Sequence, residues 1–274
     1  MALVQMNFES EYLGSNHEIS VILPDKPREK TPRQFYGSGE RYPVLWLLHG
    51  TFGDHSDWVR KSNVELYACE RDVIVVMVSG LNSNYVNWKE FGIGYNMWDY
   101  LTEELMPLIW NWFPASSKRE DNFIAGLSMG GTGTIQYAVG HPELFAGAAV
   151  LSSAPVNVRA IPEEGSAFGE ERQATMLKNA GGFEAYVESN ENVWDKLPAF
   201  TKLAEKPKLY FAIGKQDFLY DTYAKFKAYA KEIGLEATFE EYDGFTHEWR
   251  FWDMTIEKAL DFFGLCRKDA GNPF

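Results

Sequence analysis

Cysteine is nearly missing: Cys69 and Cys266 are the whole complement, and their wide separation fits neither a metal site nor a redox pair. A disulfide framework is therefore excluded, and reduced thiols in a cytoplasmic protein are expected. Basic residues are also short. With 26 Lys and Arg against 39 Asp and Glu, the formal net charge is -13, which argues against attraction to nucleic acid or an anionic membrane surface. No apolar run approaches the roughly 18 residues of a membrane span. The segment 1–12 carries acidic residues where a signal peptide needs a basic flank. The expectation is a soluble cytoplasmic protein without metal or cofactor.

What remains is ample for a core. A chain of 274 residues with 45% hydrophobic content is expected to fold as one α/β domain over residues 1–274. Residues 43–48 and 73–78 are near-continuous apolar runs, the signature of strands covered on both faces in a parallel sheet. Further runs at 144–152, 207–214 and 237–242 alternate with helical periodicity. Residues 2–8 and 18–23 alternate as antiparallel strands, and 24–41 reads as a surface loop. Asn96 is placed to cap a helix that Pro107 should kink. From 153 to 206 the rhythm lapses into short helical pieces at 169–179 and 183–189. This stretch has too few apolar residues for its own core, so it is expected to be an insertion over the site.

One stretch organises the rest: Phe123-Ile124-Ala125-Gly126-Leu127-Ser128-Met129-Gly130-Gly131. It reads as a buried strand that breaks at a glycine, presents a serine, and runs on into a helix. A serine at such a corner is strained, and positions two residues away on either side must lack bulk; Gly126 and Gly130 meet that need. Its hydroxyl then stands at the positive end of a helix, where an oxyanion is stabilised.

Three other segments fall, like Ser128, just past the end of an apolar strand, where open α/β sheets bind ligands. They are His49-Gly50-Thr51-Phe52-Gly53, Lys215-Gln216-Asp217-Phe218-Leu219-Tyr220, and Asp243-Gly244-Phe245-Thr246-His247-Glu248-Trp249. Ser128, Asp217 and His247 thus occur in the chain order of an α/β-hydrolase triad. In that arrangement His247 serves as base for Ser128, and Asp217 orients the imidazole. Asp221 and Asp243 are weaker rivals for the acid. The N–H groups of Thr51 and Met129 are the candidate oxyanion donors, with Phe52 next after Thr51. Phe52 and Trp88 are candidate substrate contacts, whereas His49 and Trp58 read as structural.

These four motifs together resemble the esterase D superfamily, and within it the tributyrin, acetyl and feruloyl (cinnamoyl) esterases. The likeness extends from about Val4 to Phe263. It implies an α/β-hydrolase fold, a mostly parallel central sheet flanked by helices with a small insertion over the site. It also implies a cofactor-independent serine carboxylesterase acting on short acyl or hydroxycinnamoyl esters, plausible substrates being small molecules or plant oligosaccharides. Homo-oligomers are frequent in the superfamily, which extends that expectation to this chain. Its S-formylglutathione hydrolases usually carry a leucine after the His-Gly pair and a histidine before the nucleophile. Thr51 and Leu127 stand there instead, so thioester hydrolysis or acyl transfer is the second reading. A non-catalytic binding protein is the third, disfavoured because both serine and histidine are retained.

Overall fold

The apolar runs pair into one sheet of eight strands in the computed structural model, which describes residues 2–161 and 169–268. The strands of this sheet are β1 (Ala2–Ser10), β2 (Ser15–Leu23), β3 (Val44–Leu48), β4 (Ile74–Val78), β7 (Asn122–Leu127), β8 (Gly147–Leu151), β9 (Lys208–Gly214) and β10 (Thr238–Tyr242). A short hairpin, β5 (Asn87–Trp88) with β6 (Tyr95–Asn96), lies apart. The spatial order is β1-β2-β4-β3-β7-β8-β9-β10. β1 pairs antiparallel with β2 and β2 with β4; every other neighbour is parallel.

That order reverses between β3 and β7, because the chain first steps from β3 outward to β4 and later returns on the other side of β3. Such a switch point opens a crevice at the strands' carboxyl ends. The two strands end in step, with Leu48 opposite Gly126, so the turns that follow them lie side by side.

In the central strands β3, β4, β7, β8 and β9 residues alternate between two apolar layers, which is why these runs contain almost no polar positions. Val44, Trp46 and Leu48 of β3 join the larger core, and Leu45 and Leu47 the smaller. Helices α1 (Pro32–Tyr36), α2 (Asp57–Lys61), α3 (Val64–Arg71), α4 (Met97–Asp99), α5 (Met106–Trp112), α6 (Met129–Gly140), α7 (Glu170–Asn179), α8 (Phe183–Glu188), α9 (Val193–Phe200), α10 (Tyr220–Glu232) and α11 (Trp249–Phe262) connect the strands. α11 supplies Phe251, Ile256 and Leu260 to the smaller core. None of the described helices is long and apolar enough to cross a membrane.

Two local expectations are corrected. Residues 24–41 are not loop throughout: Thr31 caps α1 in a reciprocal capping box with Gln34, and Pro32 occupies the first turn, where its missing N–H costs nothing. Asn96 makes no capping bond; the N–H of Asp99 in the first turn donates instead to the side chain of Asn87, the hairpin partner of Asn96. Ahead of Pro107, residues Tyr100–Leu105 form a π-helical turn that runs into α5. The wider turn accommodates a residue that lacks an N–H and whose ring would crowd the preceding carbonyl. Within 153–206, α9 adds a third helix that the sequence pattern did not reveal, and residues 162–168 lie outside the described residues.

Candidate active site

Close approach of backbones builds the site. A Cβ on Gly50 would lie 2.5 Å from the Leu127 side chain, and one on Gly130 would lie 2.5 Å from the Leu48 carbonyl oxygen. At Gly130 the neighbour is backbone, which cannot yield, so only glycine lets the corner after β7 seat this closely on β3. Between them Ser128 adopts φ 53° and ψ -119°, a strained conformation for a residue with a side chain. Its N–H donates to Leu151 of the adjacent strand, and its carbonyl accepts from Thr132 inside α6. Both ends of the strained residue are therefore fixed.

The Ser128 hydroxyl lies 3.0 Å from His247 Nε2, and His247 Nδ1 lies 2.8 Å from Asp217 Oδ2. With Nδ1–H donating to the carboxylate, Nε2 is left as the acceptor facing the hydroxyl. The other Asp217 oxygen accepts the Leu219 N–H at 2.9 Å, and the carboxylate side chain is fully buried. On one side the His247 ring meets the edge of Trp252 at 5.0 Å, and Phe218 packs 4.6 Å away. Trp252 is itself anchored by donating to Ser152 Oγ. The imidazole is thus held in orientation as well as in tautomer.

The loops bearing the acid and the imidazole are laced together. Lys215 N–H donates to the Tyr242 carbonyl, Gln216 N–H to that of Phe245, and Gly244 N–H to Gln216 Oε1. Asp243 pairs with Lys215 on the exposed outer side at 3.0 Å. Asp221 lies in the first turn of α10 and lines a cavity. Neither rival hydrogen-bonds His247.

Across the crevice, Phe52 has φ 64° and its N–H donates to Asn82 Oδ1. The Thr51 N–H has no acceptor among the described residues, and Met129 opens α6, where a helix leaves its first donors unpaired. His49 holds this turn in place. Its Nδ1–H donates to the Gly50 carbonyl at 2.6 Å, and its Nε2 accepts from Gly80 N–H at 2.7 Å. Burial keeps its pKa below the ordinary histidine value, consistent with a neutral ring bonded at both nitrogens.

Beside Thr132, four residues beyond Ser128, opens a cavity of about 880 Å³ walled by Ser153, Gln136, Arg172, Met176 and Tyr186. Phe52 and Phe218 stand exposed at 88% and 58%; Phe218 also lines the cavity. Trp88 is placed elsewhere: its ring packs on Phe91 and Tyr95, and it does not line the cavity. Trp58 is buried and donates to the Leu48 carbonyl. A second depression, lined by Lys206, Lys208 and Glu236, lies by the opposite ends of the strands. No cluster of His, Cys, Asp and Glu able to hold a metal occurs among the described residues.

Sequence reasoning missed Arg172. From α7 its Nη2 donates to Thr51 Oγ1 at 3.0 Å, across a separation of 121 residues that no local pattern encodes.

Comparison with known proteins agrees with this architecture. The Esterase family model matches residues 10–263. An acetyl esterase of Caldicellulosiruptor saccharolyticus is 31% identical over 277 residues, spanning 95% of this chain and 97% of that protein. The fluorophosphonate-binding serine hydrolase FphF of Staphylococcus aureus superposes with a TM-score of 0.75 at 31% identity, covering 96% of this chain and 98% of that one. The S-formylglutathione hydrolase FrmB of the same organism gives 0.77 at 30% identity, with the same two coverages of 96% and 98%.

Proposed function

Because the chain belongs to the Esterase family, we propose that it is a serine carboxylesterase that releases short acyl or hydroxycinnamoyl groups through an acyl-enzyme on Ser128. The observation that carries this reading is the unbroken hydrogen-bonded chain from Asp217 through His247 to Ser128. It ends on a strained serine at the mouth of a helix.

In this mechanism His247 Nε2 takes the Ser128 proton as the oxygen attacks the ester carbonyl, then returns it to the departing alcohol. Asp217 stabilises the imidazolium formed in between. The N–H groups of Thr51 and Met129 receive the oxyanion, each contributing about 3 kcal/mol to the barrier reduction. Water, deprotonated by the same imidazole, then releases the acid and restores the serine.

Likeness to a protein named acetyl esterase supports a short acyl group, and the neighbouring cavity of about 880 Å³, lined by Thr132 and Phe218 but not by Ser128 or His247, has room for a hydroxycinnamoyl ring or a sugar unit. Fragments of plant polysaccharide combine both kinds of ester. The likeness to FrmB favours thioester hydrolysis as a second reading. Parallel assays of p-nitrophenyl butyrate, methyl ferulate, acetylated xylo-oligosaccharide and S-formylglutathione decide the matter. A higher kcat/KM on one of the three oxygen esters supports the proposal. Preference for S-formylglutathione would transfer the assignment to the thioesterase, and inertness toward all four would overturn both.

A further inference from the structure

Helix α7 contributes no fully buried residue; Met176 and Leu177 pack, partly buried, on the small cluster of Val86, Val158, Tyr186 and Val187. Polar ties add to that packing. Asn84 Nδ2 donates to Met176 Sδ at 2.5 Å, Glu90 N–H to the Asn179 carbonyl at 3.1 Å, and Arg172 Nη2 to Thr51 Oγ1 at 3.0 Å. The first two end on α7 itself. The third leaves α7 and ends on Thr51, whose own N–H has no acceptor among the described residues.

We infer that Arg172 is a positioning residue: through Thr51 it sets the oxyanion donor and so couples the seating of α7 to catalysis. The inference rests on the acyl-enzyme reading above. The peptide group that carries the Thr51 N–H has the Gly50 carbonyl at its other end, which also accepts from Gly53 N–H, and the positive-φ Phe52 follows Thr51. Phe52 is pinned from below by Asn82, and His49 pins the Gly50 carbonyl. The bonds to the Gly50 carbonyl hold that side of the Gly50–Thr51 peptide; the Thr51 Cα on the N–H side is held through its side chain, whose partner is Arg172. A charge-assisted donor fixes a hydroxyl more firmly than a neutral one. An oxyanion donor displaced by a fraction of its hydrogen-bond length loses much of its effect. The guanidinium also brings a positive charge to the loop where negative charge develops.

The test uses the full chain and p-nitrophenyl acetate. Arg172→Met keeps the aliphatic stem and removes the donors. The expected result is a fall in kcat and in kcat/KM by the same factor, about tenfold, smaller than the roughly hundredfold loss from deleting one oxyanion donor outright. Affinity for a trifluoromethyl ketone, which forms the oxyanion adduct, should weaken in parallel. Arg172→Lys should recover part of the loss. Thr51→Val should cost a similar factor, and the double variant should be no worse than either single one. Lys178→Met, on the exposed side of the same helix, should match wild type. A wild-type kcat in Arg172→Met, a rise in KM alone, or additive losses with Thr51→Val would each overturn the inference. Stoichiometric labelling of Ser128 by a fluorophosphonate in every variant separates these outcomes from failure of the esterase reading, which would abolish labelling in the wild type as well.

Discussion

The first turn of α6 rests on the backbone of β3: a Cβ on Gly130 would stand 2.5 Å from the Leu48 carbonyl oxygen and 2.6 Å from that of His49. This contact sets Met129 beside the turn that carries Thr51. A backbone neighbour cannot swing aside as a side chain can, so Gly130→Ala must push the helix away from the strand. Unfolding in urea should show a loss of about 1–3 kcal/mol, the usual cost of overpacking. Esterase activity should fall further than stability explains. A variant of wild-type activity would show that the spacing is not needed.

Asp217 and Asp243 differ in what they touch, although both lie on loops at the site. Asp217→Asn leaves the hydrogen-bonding shape but favours the wrong imidazole tautomer, and kcat should fall about 10⁴-fold. Asp243 pairs only with the exposed Lys215, and Asp243→Asn should stay within about threefold of wild type, as exposed pairs contribute little. Steady-state kinetics on one ester checks both.

His17 is 5% exposed and meets the Tyr100 ring edge-on at 4.8 Å. Burial lowers its pKa from 6.5 to about 4. Between those values the unfolded chain binds the proton and the folded one resists it, so the contribution to stability is complete above pH 6.5 and is lost as the pH falls toward 4. The loss through this one group should reach about 3 kcal/mol. His49, also lowered by burial, adds a loss of the same sign. Denaturant unfolding at a series of pH values should give a shallower acid slope in His17→Phe than in wild type. Equal slopes would contradict the assignment.

Phe218 packs against His247 and is 58% exposed at the cavity edge. Phe218→Ala removes a contact surface for an apolar acyl or aromatic group. KM for methyl ferulate should rise about threefold to tenfold, the range expected for roughly 1 kcal/mol of apolar contact, with a smaller change for an acetyl ester. The ratio of the two KM values is the readout.

The sheet and most of the site are legible in the sequence because local chemistry dictates them. The run from Val44 to Leu48 has no polar residue and can only be a strand covered on both faces. Gly126 and Gly130 mark the corner that presents Ser128, and the loops after β9 and β10 each offer an acid or a histidine at the strand's exit. The structure brings Ser128, His247 and Asp217 into one hydrogen-bonded chain. It leaves Trp88 in a packing role within the hairpin region.

What escapes the sequence is set by tertiary contact. Arg172 sits in a charged helix with no apolar stripe, and its meaning depends on Thr51 far away in the chain. α9 contains Pro198, a residue that argues against a helix unless packing overrides it; Val193, Leu197 and Phe200 bury its other face in the larger core. Asn96 is a good cap by type, but Asn87, which the hairpin sets opposite it, accepts the Asp99 N–H in its place.

The central claim is that Ser128 carries the acyl group, and rapid mixing with p-nitrophenyl acetate followed by peptide mass analysis tests it most directly. The account predicts a burst of one p-nitrophenol per chain and the mass of one acetyl group on the peptide containing Ser128, both absent in Ser128→Ala. A normal burst in Ser128→Ala, or an acetyl group found on another residue, would contradict it.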